Sequence, residues 1–152
     1  MEVFRISRVK YARRLNSSGA ANRWNLENEY VIYCADSRSL ATLELVVRRA
    51  SIQPRFVYKV MVISIGDDEA LFNQIPLKAL PEKWQSVDAY PNLQQLGSEW
   101  YNDNKSLVLK VPSAIITHEY NYIINTKHPD YKDHVKLVRQ EAYFWDSRLI
   151  ND

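Results

Sequence analysis

Glycine is nearly missing from this chain: there are three in 152 residues, Gly19, Gly66 and Gly97, and they lie far apart. Loops that cradle phosphate, of the Walker or the dinucleotide-fold kind, need clustered glycines and are excluded. Cysteine occurs once, at Cys34, which cannot close an intramolecular disulfide. A reducing cytoplasm is therefore the expected compartment. Three histidines and that single cysteine show no zinc-ligand spacing, so no metal is expected. No apolar run approaches the ~20 residues of a membrane helix. The stretch from Met1 to Arg14 alternates apolar and basic residues and lacks the apolar core of a signal peptide. Neither sign of charge dominates, and a net +2 is too small to argue for nucleic acid or a membrane surface. What remains is the expectation of a soluble cytoplasmic protein with one domain over residues 1–152.

The composition, 46% hydrophobic and 25% charged, suffices for one packed core and speaks against disorder. Glu2 to Arg8 reads as a first strand, and Asn16 to Gly19 as a polar break. Tyr30 to Cys34 is a short β-rich apolar run, hence a buried strand. Asp36 and Ser37 then suit the N-cap of a helix running to about Ala50. Leu40, Leu43 and Val47 fall on one stripe of it. Arg55 to Ile65 reads as a long strand, and residues 67–90 as irregular, interrupted by Pro76 and Pro81. Pro91 fits the first turn of a helix carrying Leu93, Leu96 and Trp100 on one face. Strand-like runs follow at Leu107 to Val111, Ala114 to Thr117 and Tyr120 to Ile124. Asn125 to Lys132 reads as a loop, and Val135 to Trp145 as strand-like again. Strands and helices mix without regular alternation, which predicts an α+β fold with a mixed or largely antiparallel sheet and flanking helices.

Four residues stand out chemically. Glu44 lies between Leu40 and Val47 on the apolar stripe, where a carboxylate is costly unless it is paired or lines a cavity. The plain alternative is a buried glutamate satisfied by an arginine. Arg23, in the loop-like Asn22-Arg23-Trp24-Asn25, has the bidentate fork suited to a pyrophosphate, although loop arginines are more often solvated. Tyr33 sits in an apolar strand and needs a hydrogen-bond partner if buried, with core packing the commoner reason for it. Ser113, after Pro112, is most simply a turn residue. Serines with His118, His128 or His134 lack the glycines of a nucleophile elbow. The doublets Arg13-Arg14 and Arg48-Arg49 read as solvated surface, and no basic-aromatic motif for RNA is present.

Taken together, the residues resemble the RES domain, the toxin half of a bacterial toxin–antitoxin system. Phe4-Arg5-Ile6 looks like the family's opening strand, and Gly19-Ala20 followed by Arg23-Trp24-Asn25 like its Gly-Ala … Arg-Trp-Asn motif. Val31-Ile32-Tyr33, Ser39-Leu40-Ala41 and Leu43-Glu44 match the strand and helix that carry its Tyr and Glu. Leu109 to Ala114 is similar to its Val-Pro-Ser segment. Glu119 to Asn125 with His128-Pro129 resembles its Asn-Tyr/Trp-Leu-Ile-Asn-Pro-x-His-Pro block. Phe144 to Leu149 is similar to its closing Phe-x-Phe-Asp-x-Arg-Leu. The pattern departs around Asn22 and at Asn28-Glu29, where glycines are usual, and at Thr126, where a proline is usual.

The resemblance implies a fold related to ADP-ribosyltransferases and an enzyme that cleaves the nicotinamide–ribose bond of NAD+, as glycohydrolase or phosphorylase. NAD+ would be substrate rather than cofactor. The resemblance carries catalytic roles onto Glu44, Arg23 and Ser113, and NAD+ binding onto Arg23, Tyr33 and Ser113. It further implies a cognate Xre-type antitoxin with a DNA-binding part, and a homodimer or toxin–antitoxin hetero-oligomer is compatible with it. The acceptor is left open among water, phosphate and a macromolecule, the last making the protein an ADP-ribosyltransferase. A second alternative is a non-catalytic binding module on the same fold, with Arg23 and Glu44 merely salt-bridged. An RNA-directed toxin would need a basic groove that the net charge does not support.

Overall fold

The structure, a computed structural model, describes residues 1–48 and 55–149. Seven strands among them form one sheet. In chain order these are β1 (Glu2–Arg8), β2 (Val31–Ala35), β3 (Tyr58–Ile65), β4 (Phe72–Gln74), β5 (Val108–Pro112), β6 (Tyr120–Asn125) and β7 (Val135–Ala142). Their order across the sheet is β4-β5-β6-β2-β1-β3-β7. β4 runs parallel to β5 and every other neighbouring pair is antiparallel, so the sheet is mixed. The helices are α1 (Arg38–Val46), α2 (Tyr90–Asp103) and a single turn α3 (Tyr131–His134). This is the expected α+β architecture.

Side chains alternate between the faces of a strand, and that alternation divides the core. On one face Val3, Ile32, Met61, Ile63, Val108 and Ile124 join a continuous apolar layer. On the other face there are two separate layers. Val31, Leu109, Val111 and Ile123 lie with Leu93 and Trp100 of α2. Phe4, Val60 and Val62 lie with Leu40 and Ala41 of α1. Complete burial of residues such as Ile32, Leu93 and Leu109 stabilises the fold by about 1.5–3 kcal/mol each.

Helix α1 begins where the sequence predicts: Ser37 is extended and its hydroxyl accepts the Leu40 amide at 3.0 Å. Its expected end near Ala50 lies outside the described residues. Arg38 fixes its first turn by a two-pronged bond to Glu141 on β7, both contacts at 2.7 Å, while its guanidinium lies 4.3 Å over the Phe4 ring. The predicted stripe is only partly inward. Leu40 is buried but Leu43 and Val47 are exposed, because the inward face of α1 runs through Leu40, Ala41 and Glu44. In α2, Pro91 occupies the first turn as expected, and the buried face is Leu93, Gly97 and Trp100, with Leu96 half-buried.

Other differences have local causes. Ala114 to Thr117 is a turn rather than a strand, because the Ser113 hydroxyl accepts the amides of Ile115 and Ile116 at 3.1 and 3.2 Å. That offers the backbone an alternative to a ladder. Strand β3 starts at Tyr58, and β7 ends at Ala142, beyond which the Trp145 ring meets both Tyr58 and Tyr143 edge-on. Within residues 67–90 short 3-10 turns accompany β4. No helix among the described residues is long and apolar enough to cross a membrane.

The hydrogen bonds from Arg38 and Arg139 hold the Glu141 carboxyl well below the usual carboxylate range, at about 2. The native state therefore favours the ionised form. Its stabilisation is complete above the ordinary value of 4.5 and is lost as pH falls toward 2. Melting temperature followed against pH should lie higher for the protein than for Glu141→Gln at neutral pH, with the two curves meeting near pH 2. Parallel curves over that range would remove Glu141 from the acid response.

Candidate functional site

Strands β1 and β2 meet at one register pair, Phe4 opposite Ala35. From there β1 continues on β3 and β2 on β6, so the sheet forks. Between the prongs, on the face where the apolar layer is divided, lies a cavity of about 570 Å³. That volume suits a small-molecule ligand. Helix α1 with Glu44 and the turn after it with Arg48 form one wall, and β2 supplies Tyr33. Asn121 of β6, Asn22 of the preceding loop and Tyr90 at the start of α2 add to the polar lining.

Glu44 is placed by two donors that come from distant parts of the chain. Its Oε1 accepts the Asn121 side-chain amide at 2.5 Å and the Ser113 hydroxyl at 3.1 Å. Among the described residues Oε2 has no protein partner, and Glu44 lines the cavity. The arrangement presents one carboxylate oxygen to whatever enters. Ser113 itself is fully buried, and its only hydrogen goes to Glu44 while its oxygen takes the Ile115 and Ile116 amides. It stands beneath the carboxylate rather than on the cavity wall. A direct contact from Ser113 to a ligand, as the resemblance implied, is not what this geometry provides.

Tyr33 turns its ring to the cavity and its hydroxyl into the loop before β2. The hydroxyl donates to Asn25 Oδ1 at 2.7 Å and accepts the Trp24 amide at 3.1 Å. Burial pushes its phenol upward, opposed by the Trp24 amide, so it stays neutral. The loop is held from the other side by α2. Gly97 packs on the Trp24 backbone, and Gln94 donates to the Asn22 carbonyl at 2.8 Å. Asn25, buried, donates from its side chain to the carbonyls of Ala20 and Leu26. Asn28, at one of the glycine departures, has φ of 68°, a region asparagine adopts more readily than most residues. Glu29 beside it is buried, accepting the Leu26 amide and the Ser98 hydroxyl.

Arg23 is not brought to the cavity wall. Its guanidinium donates to the carbonyl oxygens of Trp84 and Ser86 at 3.0 and 3.5 Å and lies 4.6 Å over the Tyr90 ring. Those carbonyls come from the segment leading into α2, which no local pattern around Arg23 reveals. Arg23 and Glu44 do not pair, so the carboxylate is not neutralised by that arginine. Arg48 is exposed, as expected of solvated surface, but it also lines the cavity, while Arg49 lies outside the described residues. Its signal in the sequence is the four-residue spacing from Glu44, which puts both on one side of a helix. Asn121 stood within a quoted block without being singled out. Cys34 is buried with its thiol pushed up to about 12 by burial, which makes it no nucleophile. Among the described residues no group of three or more His, Cys, Asp or Glu is placed to hold a metal ion.

A family model described as RES domain matches residues 2–146. The chain is 29% identical over 154 residues to Toxin Res of Photorhabdus laumondii subsp. laumondii, covering 99% of this chain and 97% of that protein. It is 30% identical over 148 residues to a Sphingobium sp. protein named Prs ADP-ribosylating toxin, covering 95% and 91%. Among solved structures, the M. tuberculosis MbcT–MbcA toxin–antitoxin complex contains a chain of the same fold. It superposes with a TM-score of 0.66 at 19% identity, covering 94% of this chain and 81% of that one.

The clamp on the loop is open to a direct test. A methyl group on Gly97 would lie 1.7 Å from the Trp24 carbonyl oxygen, a backbone atom that cannot rotate away. Gly97→Ala is expected to cost about 1–3 kcal/mol in denaturant unfolding. A change below about 0.5 kcal/mol, the range of ordinary surface substitutions, would show that α2 does not bear on the loop.

Proposed function

The chain belongs to the RES-domain family, and from that membership and the forked-sheet cavity we propose that it is a toxin that degrades NAD+ by cleaving the nicotinamide–ribose bond. The observation that carries the reading is Glu44: a carboxylate with one oxygen tied down by Ser113 and Asn121 and the other turned to a ligand-sized cavity.

The bond to be broken joins the ribose C1′ to the pyridinium nitrogen. As it breaks, its electron pair passes to nicotinamide, which leaves neutral, and positive charge develops on the ribose. A fixed carboxylate beside the sugar stabilises that charge and orients a ribose hydroxyl, as in glycoside hydrolysis. Glu44 takes this role. Ser113 and Asn121 hold its side chain in position before substrate arrives, so little reorganisation accompanies the reaction. Tyr33 offers a flat ring against which the nicotinamide or ribose stacks. Arg23, through its contacts to Tyr90 and the Trp84 and Ser86 carbonyls, braces the rim. The acceptor then adds at C1′ through oxygen and gives up a proton. Water makes the protein a glycohydrolase and inorganic phosphate a phosphorylase. Transfer to a macromolecule is a second reading, favoured by the name of the Sphingobium relative.

An enzyme that drains NAD+ in the cytoplasm would harm its own cell, so the reading includes a cognate antitoxin of the Xre type, with a DNA-binding part, that closes the cleft. Likeness in fold to a chain of a toxin–antitoxin complex supports such a partner.

NAD+ followed over time with purified protein, with and without phosphate, tests the reading. Loss of NAD+ is expected, and Glu44→Gln should slow it at least about 100-fold, on the scale of a fixed electrostatic contact removed from a transition state. Dependence on phosphate names the acceptor. Stable NAD+ in the presence of folded, antitoxin-free protein would overturn the proposal, and unchanged turnover by Glu44→Gln would remove that residue from the mechanism.

A further inference from the structure

Two charged side chains of the cavity follow one another on α1 and the turn after it. Glu44 lies toward the sheet, and Arg48 follows one turn later, toward the loop that carries Asn22. Arg48 is poorly satisfied compared with Arg38, Arg139, Arg148 and Arg23. Arg38, Arg139 and Arg148 each bond a carboxylate at 2.7 to 2.9 Å. Arg23 is committed to two carbonyls and an aromatic ring. Arg48 makes one long bond, from Nη2 to Asn22 Oδ1 at 3.4 Å, to an oxygen already accepting the Arg23 amide at 2.9 Å. Among the described residues no carboxylate lies within ion-pair distance of it.

Arg5 also touches the cavity, but its guanidinium donates to the Asn16 carbonyl at 3.2 Å. Arg48 is therefore the cation of the cavity with the weakest hold on the protein. Arg48, Tyr33 and Glu44 all line the cavity, which places carboxylate, aromatic ring and guanidinium about one ligand.

A dinucleotide has the complementary order. Its pyridinium-bearing ribose is cationic and its pyrophosphate, the next group along, is doubly anionic. We infer that Arg48 binds the pyrophosphate of the dinucleotide substrate, exchanging its long bond to Asn22 for charge-assisted bonds to phosphate oxygens. The inference rests on the NAD+ reading and deepens it, because the binding cation of the site becomes Arg48 while Arg23 braces the rim from outside. It also makes the substrate choice specific: the site prefers a ligand with a phosphate group one sugar away from the carboxylate.

Binding can be separated from turnover by working in Glu44→Gln, with ADP-ribose and adenosine as probes in titration calorimetry. ADP-ribose carries the pyrophosphate and adenosine does not. Adding Arg48→Gln should weaken ADP-ribose by about 10- to 100-fold, the scale of a hydrogen bond to a charged group. Adenosine should be unaffected, and Arg48→Lys should recover part of the loss. ADP-ribose affinity in the Glu44→Gln parent should also fall as salt is raised. Equal ADP-ribose affinity with and without Arg48 would overturn the inference while leaving the NAD+ reading intact. Equal losses for both probes would assign Arg48 a structural role and overturn it as well. No ADP-ribose binding by the Glu44→Gln parent would overturn both.

Discussion

Phe4 and Ala35 form the one register pair between the two middle strands, and the layout of the protein follows from the parting of those strands beyond it. A sheet that forks cannot carry one continuous apolar layer across the fork on that face. The side chains accordingly divide into two clusters, one beneath each long helix. On the opposite face the layer is continuous and holds the halves together. The cavity is thus the space that separates two packed half-cores, closed at its sides by the ends of α1 and α2. Arg38 secures this arrangement from the surface, joining α1 to β7 through Glu141 and covering Phe4 at the base of the fork.

Polar groups in the fork are organised by the same division. Glu44 belongs to the helix of one half, and its donors, Ser113 just after β5 and Asn121 of β6, belong to the other. The carboxylate therefore joins the halves across the cavity while keeping one oxygen free for a ligand. On the opposite wall the Tyr33 hydroxyl, Gly97 and Gln94 all act on the loop 22–25, so the loop is fixed by two elements. Preorganisation of this kind suits chemistry in which charge develops at one point and the protein must already be in place. It also explains why the glycine departures are tolerated: Asn28 adopts the left-handed backbone, and Glu29 is satisfied within the clamp.

Much of the fold was legible in the residues. The first strand, the buried strand before α1, the Ser37 cap and the Pro91 helix start depend on alternation, capping chemistry and proline geometry, which are local. The misreadings came where a local pattern was decided by something distant. Ala114 to Thr117 has strand-like composition, but the hydroxyl of Ser113 captured its amides. Leu43 and Val47 complete a convincing stripe, yet the inward face of α1 runs through Ala41 and Glu44 instead. The candidate site divides in the same way. Glu44 announced itself as a carboxylate on an inward helical position, and the family resemblance named Tyr33, Ser113 and Arg23 beside it, but none of this fixed what each side chain touches.

By itself the sequence determined the α+β class, the strands on either side of the cavity and a carboxylate at an inward position of α1, because period and capping are properties of neighbouring residues. The tertiary structure decided which arginine faces that space. Arg23 is drawn outward by carbonyls of Trp84 and Ser86, 61 and 63 residues away in the chain. Arg48, with no carboxylate among the described residues within ion-pair distance, is left exposed on the cavity lining. Ser113 is likewise placed under Glu44 by a turn 69 residues further along. A guanidinium or hydroxyl settles where its hydrogen-bonding capacity is met, and the partners that meet it here are supplied by the packing of the two halves.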